Sequence, residues 1–231
     1  MKELLRLYHD RRAHKLFVPA LLALKALRMD LLLQRILRSS PVPAPVSELR
    51  AWWPRYAAAA HGLTLPVERA VAAGFAADRL GYAFAAGYTE ALHQLLPGLG
   101  DTRAALCATE AGGVHPRAIQ THLTAAGDGL RLCGDKTFVS LGTHATTLLI
   151  VASEGQDEQG RNRLALWQLP ADRPGVTPDE RLPGDAYERY LKPFRTVEDL
   201  HVQAAFLGWL LQVARRASWP RVLVQVIRRF T

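Results

Sequence analysis

The sequence predicts an α+β fold in three parts: an N-terminal helical domain, a small antiparallel β domain and a truncated C-terminal helical region. Two observations predict it. From Lys2 to Leu96, and again after Val176, apolar residues recur at spacings of three and four, the period of amphipathic helices. Between Ala104 and Ala171 that period gives way to short apolar runs separated by Gly, Asp and Asn, the pattern of strands and turns. With 231 residues, 49% of them apolar, the chain can bury a substantial core. The expected domains are residues 1–100, 101–180 and 181–231.

Taken in order, residues 2–38 read as two amphipathic helices interrupted at Pro19. The stretch SSPVPAP forms a stiff linker, and Ser47 with Glu48 restarts a helix carrying Trp52 and Trp53. The run from Val67 to Leu96 reads as helix almost throughout, and its small residues Ala73, Gly74, Ala77, Gly81, Ala85 and Gly87 point to close helix packing. Pro97 and Gly98 stop it. The strand candidates that follow are ALCAT, HLTAA, LRLCGDKTFVS, TTLLIVAS and RLALWQLPA, with a hairpin turn at Gly127 to Gly129 and a polar loop at EGQDEQGRNR. Helical periodicity returns through DAYERYLKPFRTVEDLHVQAAFLGWLLQVARRASWP.

Composition excludes several classes of protein. Two cysteines, Cys107 and Cys133, do not make a disulfide scaffold and match a reducing, cytoplasmic compartment. The apolar run from Leu16 to Leu37 carries Lys25, Arg28, Asp30 and Arg35, so no transmembrane segment is expected. The histidines show no zinc spacing, and no phosphate-binding glycine loop is present, so no metal site is expected. The net charge of +8 is concentrated at the ends: residues 1–40 hold nine Lys or Arg against three acids, and Leu211 to Thr231 holds five arginines and no acid. Such arms suit phosphates or an anionic membrane surface, or are solvated helix faces; without a stacking pattern or known module, charge alone does not indicate nucleic acid.

Three segments in the middle third carry a resemblance. LCATEAGG, GDGLRLCGDKTFVSLGTHATTLLIVA and LALWQLPADRPGV, in that order, resemble the signature, the flavin-facing hairpin and the following strand of the acyl-CoA dehydrogenase family. The resemblance implies FAD as cofactor, an acyl-CoA or related acyl thioester as substrate, α,β-dehydrogenation as the reaction and a homo-oligomer as the assembly. It leaves the electron acceptor unspecified. By the same resemblance Leu106, Ala108 and Thr109 border the flavin ring, the Thr109 hydroxyl bonds its pyrimidine edge, Phe138 covers its face and Ser140 reaches the N5 side. FRTVEDLHVQAAFLG resembles the helix that carries the catalytic base in some branches, which places that base at Glu198. Read from the residues alone, Thr109 and Ser140 are ordinary strand residues, Phe138 is core and Glu198 is a first-turn acid favoured by the helix dipole.

The signature departs from the family at Ala111, Gly112, Gly113, Val114, His115 and Pro116, where a proline, a serine and an aspartate are usual. His115 is the candidate donor to substrate in place of that serine. Further strands of the middle domain and the rest of the C-terminal bundle are not recognisable. The alternative function is therefore a catalytically inactive relative that serves as an interaction or scaffold protein, and a third is a basic module on anionic membranes.

Overall fold

A computed structural model of the protein describes residues 26–39, 45–127, 129–172, 180–220 and 224–225. The predicted interruption at Pro19 and most of the basic tail lie outside the described residues. Helix α1 covers 26–38 and precedes α2 (Leu49–Ala60), α3 (Pro66–Ala76) and α4 (Leu80–Leu95). Six strands follow, β1 (Ala104–Cys107), β2 (His122–Ala126), β3 (Gly129–Cys133), β4 (Thr147–Gln156), β5 (Asn162–Pro170) and β6 (Glu180–Arg181). A turn of π-helix at Tyr187–Leu191 then runs into the long helix α5 (Lys192–Arg216).

The run from Val67 to Leu96 is two helices rather than one. The chain extends at Ala77, where ψ is 132°, and the next carboxylate, Asp78, accepts the Val46 N–H at 2.7 Å. A tertiary bond to the segment before α2 thus fixes a break that local periodicity does not reveal. The small residues do support close packing, but selectively. A Cβ on Gly74 would lie 2.0 Å from the Ala205 carbonyl oxygen, one on Gly87 2.5 Å from Val202 Cα, and one on Gly208 2.1 Å from the Val71 carbonyl oxygen. Helices α3 and α4 therefore meet α5 backbone to backbone, whereas Gly81 faces open space.

The β domain is a mixed sheet, not an antiparallel one. Its order is β3-β2-β4-β5-β6, with β1 also beside β4. The hairpins β2–β3 and β4–β5 are antiparallel, but β1 pairs with β4 in parallel, Leu106 opposite Leu149, and β2 meets β4 in parallel at His122 and Ser153. Long connections from β1 and β3 to β4 permit that direction, and pairing at such separation is not written in local residue pattern. The DKTFVS stretch expected as strand is irregular, and β6 lies where the sequence pattern predicts no strand.

Two apolar clusters hold the parts together. Trp52, Phe75, Tyr82 and Leu211 belong to a helical core, while Leu92, Leu149, Leu166, Tyr190 and Phe194 fill the space between the sheet and helices α4 and α5. Among the helices a buried polar group adds specificity: the fully buried Glu90 accepts from the Tyr56 hydroxyl and from Arg69 Nε, the latter at 2.8 Å. Among the described residues no helix is long and apolar enough to cross a membrane.

Candidate active-site cleft

Strand β1 supplies one wall of the site. Its four residues are buried, with Leu106 opposite Leu149 of β4. The chain leaves the sheet at Ala108 and Thr109, and Glu110 then anchors the loop that follows. Its carboxylate accepts the Gln120 N–H (2.7 Å), the Thr121 N–H (3.0 Å), the Thr121 hydroxyl (2.7 Å) and the Lys136 ammonium (2.7 Å). Burial by itself would raise this carboxyl's pKa, but Lys136 and the Gln120 and Thr121 donors override it and bring it down to about 2.

The second segment folds back on the first. Gly134, at φ 146°, passes so close to Thr121 that a Cβ would lie 2.4 Å from its Oγ1. Thr137 N–H then donates to the Thr109 carbonyl at 2.8 Å, which docks residues 136–140 beside 108–110. Phe138 and Leu141 both take left-handed backbone conformations, φ 52° and 59°. For side chains of this size that costs about 1 kcal/mol or more each, so the loop is held by its contacts rather than by local preference. The Phe138 ring stands 91% exposed as a result.

Helix α5 and the π-turn before it make the opposite wall. Between the walls lies a cleft of about 670 Å³ that Leu106, Ala108, Thr109, His115, Phe138 and Ser140 line from the sheet side. Glu198 lines it from α5, with Lys192 and Arg195 at spacings of three along the same helix. Each of the seven residues singled out in the sequence thus borders one cavity. Glu198 makes no hydrogen bond or ion pair among the described residues, and burial, then the neighbouring Asp199, pushes its pKa up. The hydroxyls of Thr109 and Ser140 likewise take no protein partner there. His115 Nδ1 accepts the Arg117 N–H at 3.2 Å, which leaves Nε2 as its donor. Lys192 is engaged by Glu188 at 3.0 Å.

Sequence reasoning missed Tyr88, which reaches the same cleft from α4. It stacks on Phe84, four residues earlier, and so reads as a core aromatic. It also missed Lys192 and Arg195, although the spacing Lys192, Arg195, Glu198 is a stripe that helical periodicity could have shown. Among the described residues no three His, Cys, Asp or Glu side chains gather as metal ligands.

The fold is thus a sheet flanked before and after by helices, with a hydroxyl-lined cleft between its first strand and the last helix. Residues 105–190 match the model of the acyl-CoA dehydrogenase middle domain. The match spans the sheet and the π-turn before α5, and the fold around it is similar to those of solved structures. The crystal structure of an FAD-dependent dehydrogenase is similar, with TM-score 0.56 and 17% identity over 82% of this chain and 66% of the other. The prolyl acyl carrier protein oxidase AnaB gives TM-score 0.56 and 18% identity over 83% and 68%, and the FAD complex of PigA 0.54 and 16% over 74% and 59%. The chain spans about three fifths to two thirds of the length of these structures. No curated protein matches it.

Proposed function

We propose that the cleft binds FAD and an acyl thioester, and that the protein oxidises the thioester between Cα and Cβ with Glu198 as base. The observation that carries this reading is the pairing of walls. A carboxylate with a raised pKa and no hydrogen-bond partner among the described residues lies across one cavity from two hydroxyls, of Thr109 and Ser140, that likewise have none there.

The residues present fit a flavin ring. Thr109 and Ser140 offer hydroxyls with no partner among the described residues to its polar edge, Leu106 and Ala108 an apolar border, and the exposed Phe138 a flat face. Bound FAD supplies the acceptor for the hydride that leaves Cβ. Glu198 takes the α-proton, and the electron pair of that C–H bond forms the new Cα=Cβ bond as the hydride departs. Burial suits Glu198 to this role, since a carboxylate stripped of water is a stronger base toward a weakly acidic carbon. His115 Nε2–H and the exposed Arg195 guanidinium stand at the cleft as donors to the polar part of the thioester. The similarity to a prolyl acyl carrier protein oxidase adds carrier-protein thioesters to coenzyme A thioesters as substrates to try. The homo-oligomer implied by the family is part of the same reading, and light scattering of the purified protein tests it.

The visible spectrum of the protein with added FAD, followed by anaerobic addition of acyl thioesters, tests the proposal. Expected are a bound flavin that bleaches, and a Glu198→Gln variant that keeps the flavin but bleaches at least about 10²-fold more slowly. The wild-type bleaching rate should rise with pH through a midpoint above the ordinary carboxylate range, because only the ionised base can take the proton. Unchanged bleaching by the variant would remove Glu198 from the mechanism, and failure to bind flavin would favour a non-catalytic interaction protein.

A further inference from the structure

Tyr88 borders the cleft as a buried phenol whose proton meets no acceptor among the described residues. Its side chain is only 3% exposed, and its ring is fixed by stacking on Phe84 (centroids 6.0 Å, 29°) and by an edge contact with Phe194 (5.9 Å, 89°). Its oxygen accepts the Leu106 N–H at 2.9 Å. That bond uses a lone pair and leaves the O–H itself to be donated. Among the described residues no carbonyl, carboxylate or hydroxyl receives it. Burial, then the charge of Glu198, keeps the phenol protonated, its pKa well above the usual value despite the Leu106 N–H, so the group is a donor throughout the working pH range. The same coupling puts it within electrostatic reach of the candidate base, and Leu106, to which it is bonded, lines the cleft beside it.

We infer that Tyr88 is a specificity-determining residue whose O–H donates to an acceptor atom on the acyl group. The preferred substrate is then an acyl thioester carrying oxygen or nitrogen close to its reacting carbons, rather than a plain hydrocarbon chain. The inference rests on the dehydrogenase reading and adds the class of acyl group. Its physical basis is the asymmetry of buried hydrogen bonds. A hydrocarbon chain closing over Tyr88 would drive water from the O–H and give it nothing to bond, whereas an ether, hydroxyl or imino group restores the partner that water supplied.

Two pantetheine thioesters of matched shape test this, cyclopentanecarbonyl and tetrahydrofuran-2-carbonyl, with anaerobic flavin bleaching read as kcat/KM for wild type and Tyr88→Phe. The two acids differ in intrinsic reactivity, so the informative quantity is the ratio of oxygen-bearing to all-carbon substrate in each protein. That ratio should fall by about tenfold or more in Tyr88→Phe, chiefly through KM, with flavin binding retained. Equal loss on both substrates would mean that Tyr88 only supports the edge of β1, and an equal shift of the pH profile on both would mean that it tunes Glu198. Either result overturns the inference and leaves the dehydrogenase reading standing. Bleaching by neither thioester, nor by any other acyl thioester, would sink the dehydrogenase reading and this inference with it. If Tyr88→Phe does not fold, 3,5-difluorotyrosine at position 88, a stronger donor of the same shape, should raise the ratio. An unchanged ratio would overturn the inference.

Discussion

Glu110 holds the loop behind the cleft that Glu198 lines, and burial raises both carboxyls until their partners separate them. Glu110 meets the Lys136 ammonium and donors from Gln120 and Thr121, and its carboxyl falls to about 2, whereas Glu198 meets no donor and rises. For Glu110 the folded pKa lies below the unfolded one, so its stabilisation is complete above the ordinary carboxylate range. It is lost as pH falls from there toward 2. Glu110→Gln should therefore cost about 2–3 kcal/mol at neutral pH, and the difference from wild type should shrink in thermal melts below pH 4, about where an unfolded carboxyl titrates. Which residues line the cleft was legible because LCATEAGG and KTFVS are contiguous segments, each resembling a family motif, and the Thr137 N–H to Thr109 carbonyl bond docks them side by side. Tyr88 was not legible, since a tyrosine four residues from a phenylalanine in an Ala-rich helix has the pattern of a core residue. Only the β1 edge that it meets gives it another meaning.

Among the elements, the glycines separate what periodicity can and cannot say. A small-residue stripe announces close helix packing, but not which of its members is in contact. Gly74, Gly87 and Gly208 each oppose backbone of a neighbouring helix at distances no Cβ tolerates, while Gly81 near the start of α4 opposes nothing. Gly208→Ala should accordingly destabilise by about 2–3 kcal/mol, because α5 must move off Val71. Gly81→Ala should be neutral or stabilise by up to about 1 kcal/mol through helix propensity. Urea melts of the two variants side by side check the pair, and equal effects would refute the assignment. The parallel pairings of β1 and β2 with β4 and the break at Asp78 escaped for a shared reason. Each is decided by a partner thirty or more residues away, Val46 for the break and β4 for the strands, and alternation of apolar residues carries no direction.

Across the whole molecule, the helical and sheet cores are not independent. Helices α4 and α5 contribute to both, with Tyr82 and Leu211 in one and Leu92 and Phe194 in the other, and Leu141 of the cleft loop packs against each. The expected consequence is one cooperative unfolding transition. Helical circular dichroism and tryptophan fluorescence should give coincident midpoints, and two resolved transitions would show separable domains. The three-part order of the fold was visible in the sequence as a change of period. The sharing of helices between the cores was not, because it depends on which face of α5 meets which neighbour.

The backbone contacts of α5 bear on the chemistry as well. Where side chains interdigitate, one helix can creep along another by repacking rotamers; where a glycine lies against a carbonyl oxygen, as at Gly74 with Ala205 and Gly208 with Val71, no such slack exists. A slip of one helical turn would carry Glu198 about 5.4 Å along the cleft and away from any bound substrate. The glycines thus act as a gauge block, setting the reach of the candidate base from three positions that never touch the site.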